Sequence, residues 1–268
     1  MAIEAVVDLD TLHCVSQHDG AGAEPYAWTA LVWVEFDGDQ WHFGSSAPPA
    51  SSGARAVVKG TMKAGQRAAM PPAQRQFVHR FGDGVMGGLG MVVALLEEDD
   101  LDFAEVRKGY TTFLRELDEV LGGFIEANDR GPDGDELDEM ADKIKRRVER
   151  AIRNALNGWE KLGVELGFVN PDDTVGFVSQ FWPVFTTVPS RPFVLNFKHT
   201  DTIITFPPGP SGSSPSPVTT EQVTEFNLEG RVELRTPSTR PVPPPPPPRP
   251  RPRPIPVPRP RPPGTSEP

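Results

Sequence analysis

Met91-Val92-Val93-Ala94-Leu95-Leu96-Glu97-Glu98-Asp99-Asp100 is the stretch on which the reading of this chain turns. Six uninterrupted apolar residues suit a central strand of a β-sandwich. Four carboxylates then end the run at once. Side chains of one sign stacked so densely repel one another unless water, a cation or basic neighbours offset them. A second acidic segment, Asp19-Gly20-Ala21-Gly22-Ala23-Glu24-Pro25-Tyr26, lies between two strand-like runs much earlier in the chain. Hard oxygen ligands gathered on loops are what a calcium ion needs, about 6–8 of them at roughly 2.3–2.6 Å.

Outward from these two segments the first hundred residues read as short strands divided by turn signals. Ile3–Asp10 is mostly apolar. Ala27–Phe36 places Trp28, Ala30, Val32, Val34 and Phe36 on one face, and Asp37-Gly38-Asp39 turns tightly into Trp41–Phe43. Residues 46–53, rich in Pro and Ser, form a loop; Ala56–Lys59 and Gln76–Phe81 are further strands. Gly87-Gly88-Leu89-Gly90 precedes a strand instead of following one, so it reads as a turn and not as a phosphate cradle. Apolar Val85, Met86 and Leu89 beside it suit turn or core packing, with insertion into lipid as the alternative.

Helical spacing then takes over. Phe103, Val106, Tyr110, Phe113, Leu114, Leu117, Val120, Leu121 and Phe124 form one stripe. Leu137, Met140, Ala141, Ile144, Val148, Ala151, Ala155, Leu156 and Trp159 form another, across the break 128–134. The expectation is an antiparallel helical hairpin. Its connecting loop lacks the bidentate acid of an EF-hand, because Met140 falls at the twelfth position when Gly134 is taken as the invariant glycine. Strands return over Thr174–Phe185, Phe193–Phe206 and Gln222–Arg235. From Pro237 the chain is low in complexity, with 16 of its 32 prolines in residues 241–268, a composition suited to an extended, disordered tail.

With strands on either side, Asp19–Tyr26 resembles the first calcium-binding loop of a C2 domain, ending here as Ala23-Glu24-Pro25-Tyr26. The third loop of that family opens with acidic residues at i and i+2 after an apolar strand, a pattern that Glu97 and Asp99 repeat. It closes with an acid shortly before a glycine, as Asp173-Thr174-Val175-Gly176 does. The resemblance covers roughly residues 3–99 and 170–235. It implies an α+β chain: a C2-like antiparallel sandwich (residues 1–101 and 166–236), an inserted helical hairpin (102–165) and a disordered Pro/Arg-rich tail (237–268). It also implies that Asp19, Glu24, Glu97, Asp99 and Asp173 share Ca2+. Two plainer readings stand beside it: a glycine-rich hairpin loop at 19–24, and an acidic first turn at 97–100 that faces the positive end of the following helix.

Composition narrows the partners. The chain carries −10, and residues 249–268 hold five arginines against one glutamate, so the remainder stands at about −14. Such a surface repels nucleic acid, and reaches anionic lipid only through a bridging cation such as calcium. The tail arginines 249, 251, 253, 259 and 261 suit an acidic or aromatic-lined groove on a protein partner. One cysteine, Cys14, excludes an internal disulfide and reads as a small buried apolar residue. With no signal-peptide pattern and no membrane-length apolar run, a soluble cytoplasmic protein is expected, and the Ala, Gly, Arg and Pro content suggests a GC-rich bacterial source. The five histidines are scattered, and nucleophile elbow, Walker loop and dinucleotide fingerprint are missing from the sequence. The expectation is therefore a non-enzymatic binding module. Its alternatives are a metal-free interaction protein working through hairpin or tail, and a hydrolase with an acidic cleft.

Overall fold

The apolar run at Met91–Leu96 is the C-terminal half of a longer strand in a computed structural model, which describes residues 2–17, 22–84, 86–97, 103–126, 174–205 and 218–237. Among these described residues ten strands, all paired antiparallel, make two five-stranded sheets. The first sheet contains β1 (Ile3–Ser16), β5 (Arg67–Ala69), β6 (Gln76–Phe81), β9 (Val188–Thr205) and β10 (Val218–Arg235). Its order is β5-β1-β10-β9, with β6 pairing the opposite end of the β1 edge from β5. The second contains β2 (Pro25–Phe36), β3 (Trp41–Ser46), β4 (Ala56–Val57), β7 (Met86–Glu97) and β8 (Thr174–Val184), in the order β3-β2-β7-β8 with β4 also on β2. Two single turns of helix, α1 (Ala50–Gly53) and α2 (Pro72–Arg75), and the long α3 (Phe103–Glu126) complete the described elements.

The sheets face each other across a core to which Val7, Leu9 and Leu12 of β1, Leu31 of β2, Met91 and Val93 of β7, and Phe226 and Leu228 of β10 contribute. Cys14 belongs to this core, and burial pushes its thiol up to about 11, with Glu97 adding to the rise. The architecture is a β-sandwich with helix, α+β in class. Helix α3 does not stand off the sandwich. It runs back over the outer face of the second sheet, where Val106, Tyr110, Phe113, Leu117 and Leu121 pack on Trp28, Ala30, Val32, Val92 and Ala94. This third layer explains why β2 and β7 are apolar on both faces. Trp28, Ala30, Val32 and Val34 turn toward the helix, while Ala27 and Leu31 fill the space between sheets.

Two buried hydrogen bonds fasten residues 48–54 to this layer: Trp28 Nε1 donates to the Ala54 carbonyl at 2.7 Å, and the Tyr110 hydroxyl to the Pro48 carbonyl at 2.6 Å. On the same β2 edge, β3 pairs Leu31–Phe36 and β4 pairs only Tyr26 and Ala27. The fully buried Gln74 reaches this edge from α2 and donates its amide to the Ala27 carbonyl.

Several boundaries differ from the sequence reading. Gly87–Gly90 is not a turn but part of β7, and glycine is needed there because aromatic rings lie on the strand. A Cβ on Gly88 would stand 2.7 Å from Cε1 of Phe181, and closer still to its Cζ. Leu89 is a core residue and Met86 is half-buried, which removes both from any lipid-inserting tip. Residues 46–53 contain α1, and the three-residue β5 has no sequence signal. The second helical stripe (137–159), Val85 and the Pro/Arg tail lie outside the described residues. By contacts the chain divides into Met1–Pro237 and Ser238–Pro268.

The outer face of the first sheet is polar and paired across strands. Arg67 bonds Glu229, Arg231 bonds Asp10 at 3.2 Å, and Asn196 donates to Glu225 at 2.9 Å. Glu4 is the buried member of this face, its side chain 5% exposed. It accepts from Arg235 of β10 at 2.8 Å and from Arg80 of β6 at 2.8 Å, so one carboxylate ties the two strands that flank β1. Hydrogen bonds from Arg235 and then Arg80 hold its carboxyl below the ordinary value of 4.5. A lowered folded value means that this stabilisation is present above that ordinary value and is lost as pH falls through the folded one. Glu4→Gln is therefore expected to lower the melting temperature at neutral pH and to converge on the wild type in acid. Parallel melting curves across the pH range would show otherwise.

Candidate functional site

Strand register brings the acidic segments' flanks to one end of the second sheet. Pro25, which follows Glu24, pairs with Glu97 at the end of β7. On the other side of β7, Leu96 pairs with Thr174, the residue after Asp173. The end of β1 reaches the same rim, since Glu97 acts electrostatically on Cys14. From Thr224 back to Val218, β10 pairs with β9 alone, so the β9–β10 hairpin runs past the end of β1 here. The serine hydroxyl of Ser16 donates to the Val223 carbonyl at 2.9 Å and fastens the hairpin where it leaves the sheet.

Of the five sequence-nominated residues, Glu24 and Glu97 are described, and both are half-buried. Asp19, Asp99 and Asp173 lie outside the described residues. Among the described residues no three of His, Cys, Asp and Glu gather closely enough to hold a metal ion.

The neighbours of Glu24 come from a segment that carries no motif. Ala23 and Met62 exchange both backbone hydrogen bonds, at 2.9 and 2.6 Å, as an isolated bridge. Gly22 adopts the left-handed φ of 93° to enter it, with no room for a side chain: a Cβ would stand 2.7 Å from Thr61 Cγ2 and 3.4 Å from Lys63 Cγ. The Thr61 hydroxyl donates to Glu24 Oε1 at 3.4 Å. A hydroxyl and a lysine stem thus border the acidic rim, 37 or more residues from Glu24 in sequence. The lone hint is Gly22, whose missing side chain lets Thr61 come close without naming it.

Two imidazole–carboxylate pairs lie elsewhere. His79 of β6 meets Glu35 of β2 at 2.6 Å, with its ring stacked on Trp33 at 4.3 Å, and so joins the two sheets. His42 meets Asp37 at 2.8 Å in the β2–β3 hairpin. Asp37 also accepts from the Gln40 and Asp39 amides. Those hydrogen bonds, the Gln40 amide first and then His42, hold its carboxyl far below the usual range. Both pairs are accounted for by packing and turn geometry.

No family model, no curated protein and no solved structure matches the chain. Among the described residues no helix is long and apolar enough to cross a membrane.

Proposed function

We propose that the chain is a non-enzymatic binding module, C2-like in its sandwich, that takes Ca2+ at the acidic rim and uses the ion to engage an acidic protein surface or anionic lipid. The observation that supports this reading is the shared end of Glu24, Glu97 and Thr174, set by the pairs Pro25–Glu97 and Leu96–Thr174. Glu24 and Glu97 supply two carboxylates there, and Asp19, Asp99 and Asp173 are the neighbours in sequence that would complete a hard oxygen set. Calcium titration should release or absorb heat and raise the melting temperature. Free calcium at a hundredfold excess over its dissociation constant would stabilise the fold by about 2.7 kcal/mol. The double substitution Glu24→Gln and Glu97→Gln should remove both effects. Neither heat nor a melting shift at millimolar calcium would overturn the metal site.

A metal-free interaction protein is the second reading, favoured by the Thr61 hydroxyl, which donates to Glu24 at the rim without an ion. In that case the Pro/Arg tail captures an acidic or aromatic-lined partner. Deleting residues 237–268 then abolishes capture, while calcium chelation changes nothing.

A further inference from the structure

β3 is an edge strand without the usual protection. A strand at the margin of a sheet normally carries a charge or a proline that blocks a further strand. β5 has Arg67, β6 has Arg80, β8 has Pro183, and β9 has Pro189, Pro192 and Lys198, while the two-residue β4 follows Arg55. β3 has neither device, and residues 40–54 contain no Asp, Glu, Lys or Arg in a chain of net −10. Its one titratable side chain, His42, is held by Asp37 at 2.8 Å.

The β2–β3 hairpin decides which backbone groups of β3 point outward. The Asp37 amide donates to the Gln40 carbonyl at 3.3 Å, which makes these two residues a bonded pair. Bonded pairs recur at every second residue of an antiparallel ladder, so His42, Gly44 and Ser46 bond β2 opposite Glu35, Trp33 and Leu31. Trp41, Phe43 and Ser45 therefore present N–H and C=O away from β2. Among the described residues β3 pairs with β2 alone. The side chains of the same three residues lie on the α3 face. Trp41 packs on that layer, Ser45 donates to Asp118 at 2.8 Å, and a Cβ on Gly122 would stand 3.6 Å from Phe43 Cζ. Phe43 is nevertheless 37% exposed.

We propose that β3 is the interface of a two-fold dimer, in which it pairs antiparallel with β3 of a second copy about Phe43. This register sets Trp41, Phe43 and Ser45 opposite Ser45, Phe43 and Trp41, so the outward backbone groups of each strand bond those of the other. Large side chains meet small ones, Trp41 against Ser45 and His42 against Gly44, and Phe43 meets its like. Cross-strand aromatic pairs of this kind stabilise antiparallel sheets. Charge selects the same occupant. The turn acids Asp37 and Asp39 would pass Pro49 and Ala47 of the second copy, and Asp118 is held by the Ser45 hydroxyl. Two copies of so acidic a chain thus meet along this strand without opposing carboxylates, and their second sheets join into one.

Sedimentation equilibrium of the full chain should show a concentration-dependent dimer. Amide exchange followed by NMR should slow at Trp41, Phe43 and Ser45 as concentration rises, which decides the register on the wild type without any substitution. Phe43→Lys and Phe43→Glu each set like charges opposite one another, so each variant alone should dimerise at least about fivefold more weakly. Mixed in equal amounts the two should associate again as a heterodimer, because residue 43 faces itself in this register. A monomer at every concentration would overturn the proposal and leave the edge to a different partner. Protection of another strand, indifference to the charges at residue 43, or no recovery on mixing would overturn it as well.

Discussion

Replacing Trp28 by alanine is expected to destabilise the protein by about 3–5 kcal/mol, the largest effect of any single truncation in the second sheet. Its ring is 2% exposed and lies 5.9 Å from Tyr110 and 5.8 Å from Phe113, so it is the main apolar contact between sheet and helix. The substitution also leaves the Ala54 carbonyl without the indole donor, in a place where water enters only if the layer loosens. Urea unfolding monitored by far-ultraviolet circular dichroism should show the lower midpoint, and limited proteolysis should cut within α3 before the sheets. Trp28→Phe keeps most of the volume but not the N–H, so it should fall between wild type and alanine. A midpoint unchanged in Trp28→Ala would mean that α3 does not depend on this contact.

The second large effect is expected at Gly88. Adding one methyl group there drives a Cβ into the Phe181 ring from within β7, a strand held on both sides, and overpacking of this kind costs about 1–3 kcal/mol. Phe181→Leu should recover part of the loss in the Gly88→Ala background, because the clash is with that ring and not with backbone. Gly123 supplies the contrast. It lies in α3, and a methyl group added there would meet nothing within 4 Å, so Gly123→Ala should stabilise by roughly 0.5–1 kcal/mol through helix propensity. Thermal melts of the three variants beside the wild type distinguish crowding from a general intolerance of substitution at glycine.

Gly88 also shows where the sequence is ambiguous. Glycine-rich segments usually signal turns because glycine reaches positive φ, yet Gly87, Gly88 and Gly90 sit in a strand because they have no side chain. Composition alone does not distinguish the two uses. The alternation in Ala27–Phe36 reveals a strand, and the start of the helix at Phe103 is equally legible from its stripe. What the stripe on β2 faces is not legible, since an apolar face packs as well on a helix as on a sheet. The three-residue β5 is held by pairing with Thr11–His13, a long-range contact with no local pattern.

For the candidate site, the acidic residue types and their place at strand ends are visible in the sequence. Their common end is not. It depends on the pairs Pro25–Glu97 and Leu96–Thr174, which span gaps of more than seventy residues in the chain. Thr61 and Lys63 reach the rim through the Ala23–Met62 bridge, where neither residue is of a type that marks a site.

The pairing of β1 with β10 has a consequence for how the protein is made. Glu4 lies opposite Arg235, so β1 leaves the ribosome long before the strand that closes the centre of its sheet. Contacts of such long sequence separation are slow to form, since the loop they close must be ordered first. Until residue 235 has emerged, the inner edge of β1 stays open beside a growing chain that already carries the apolar β2 and β7. Synthesis is thus the period in which this chain is most exposed to misassociation, and any truncation before β10 would prolong it indefinitely.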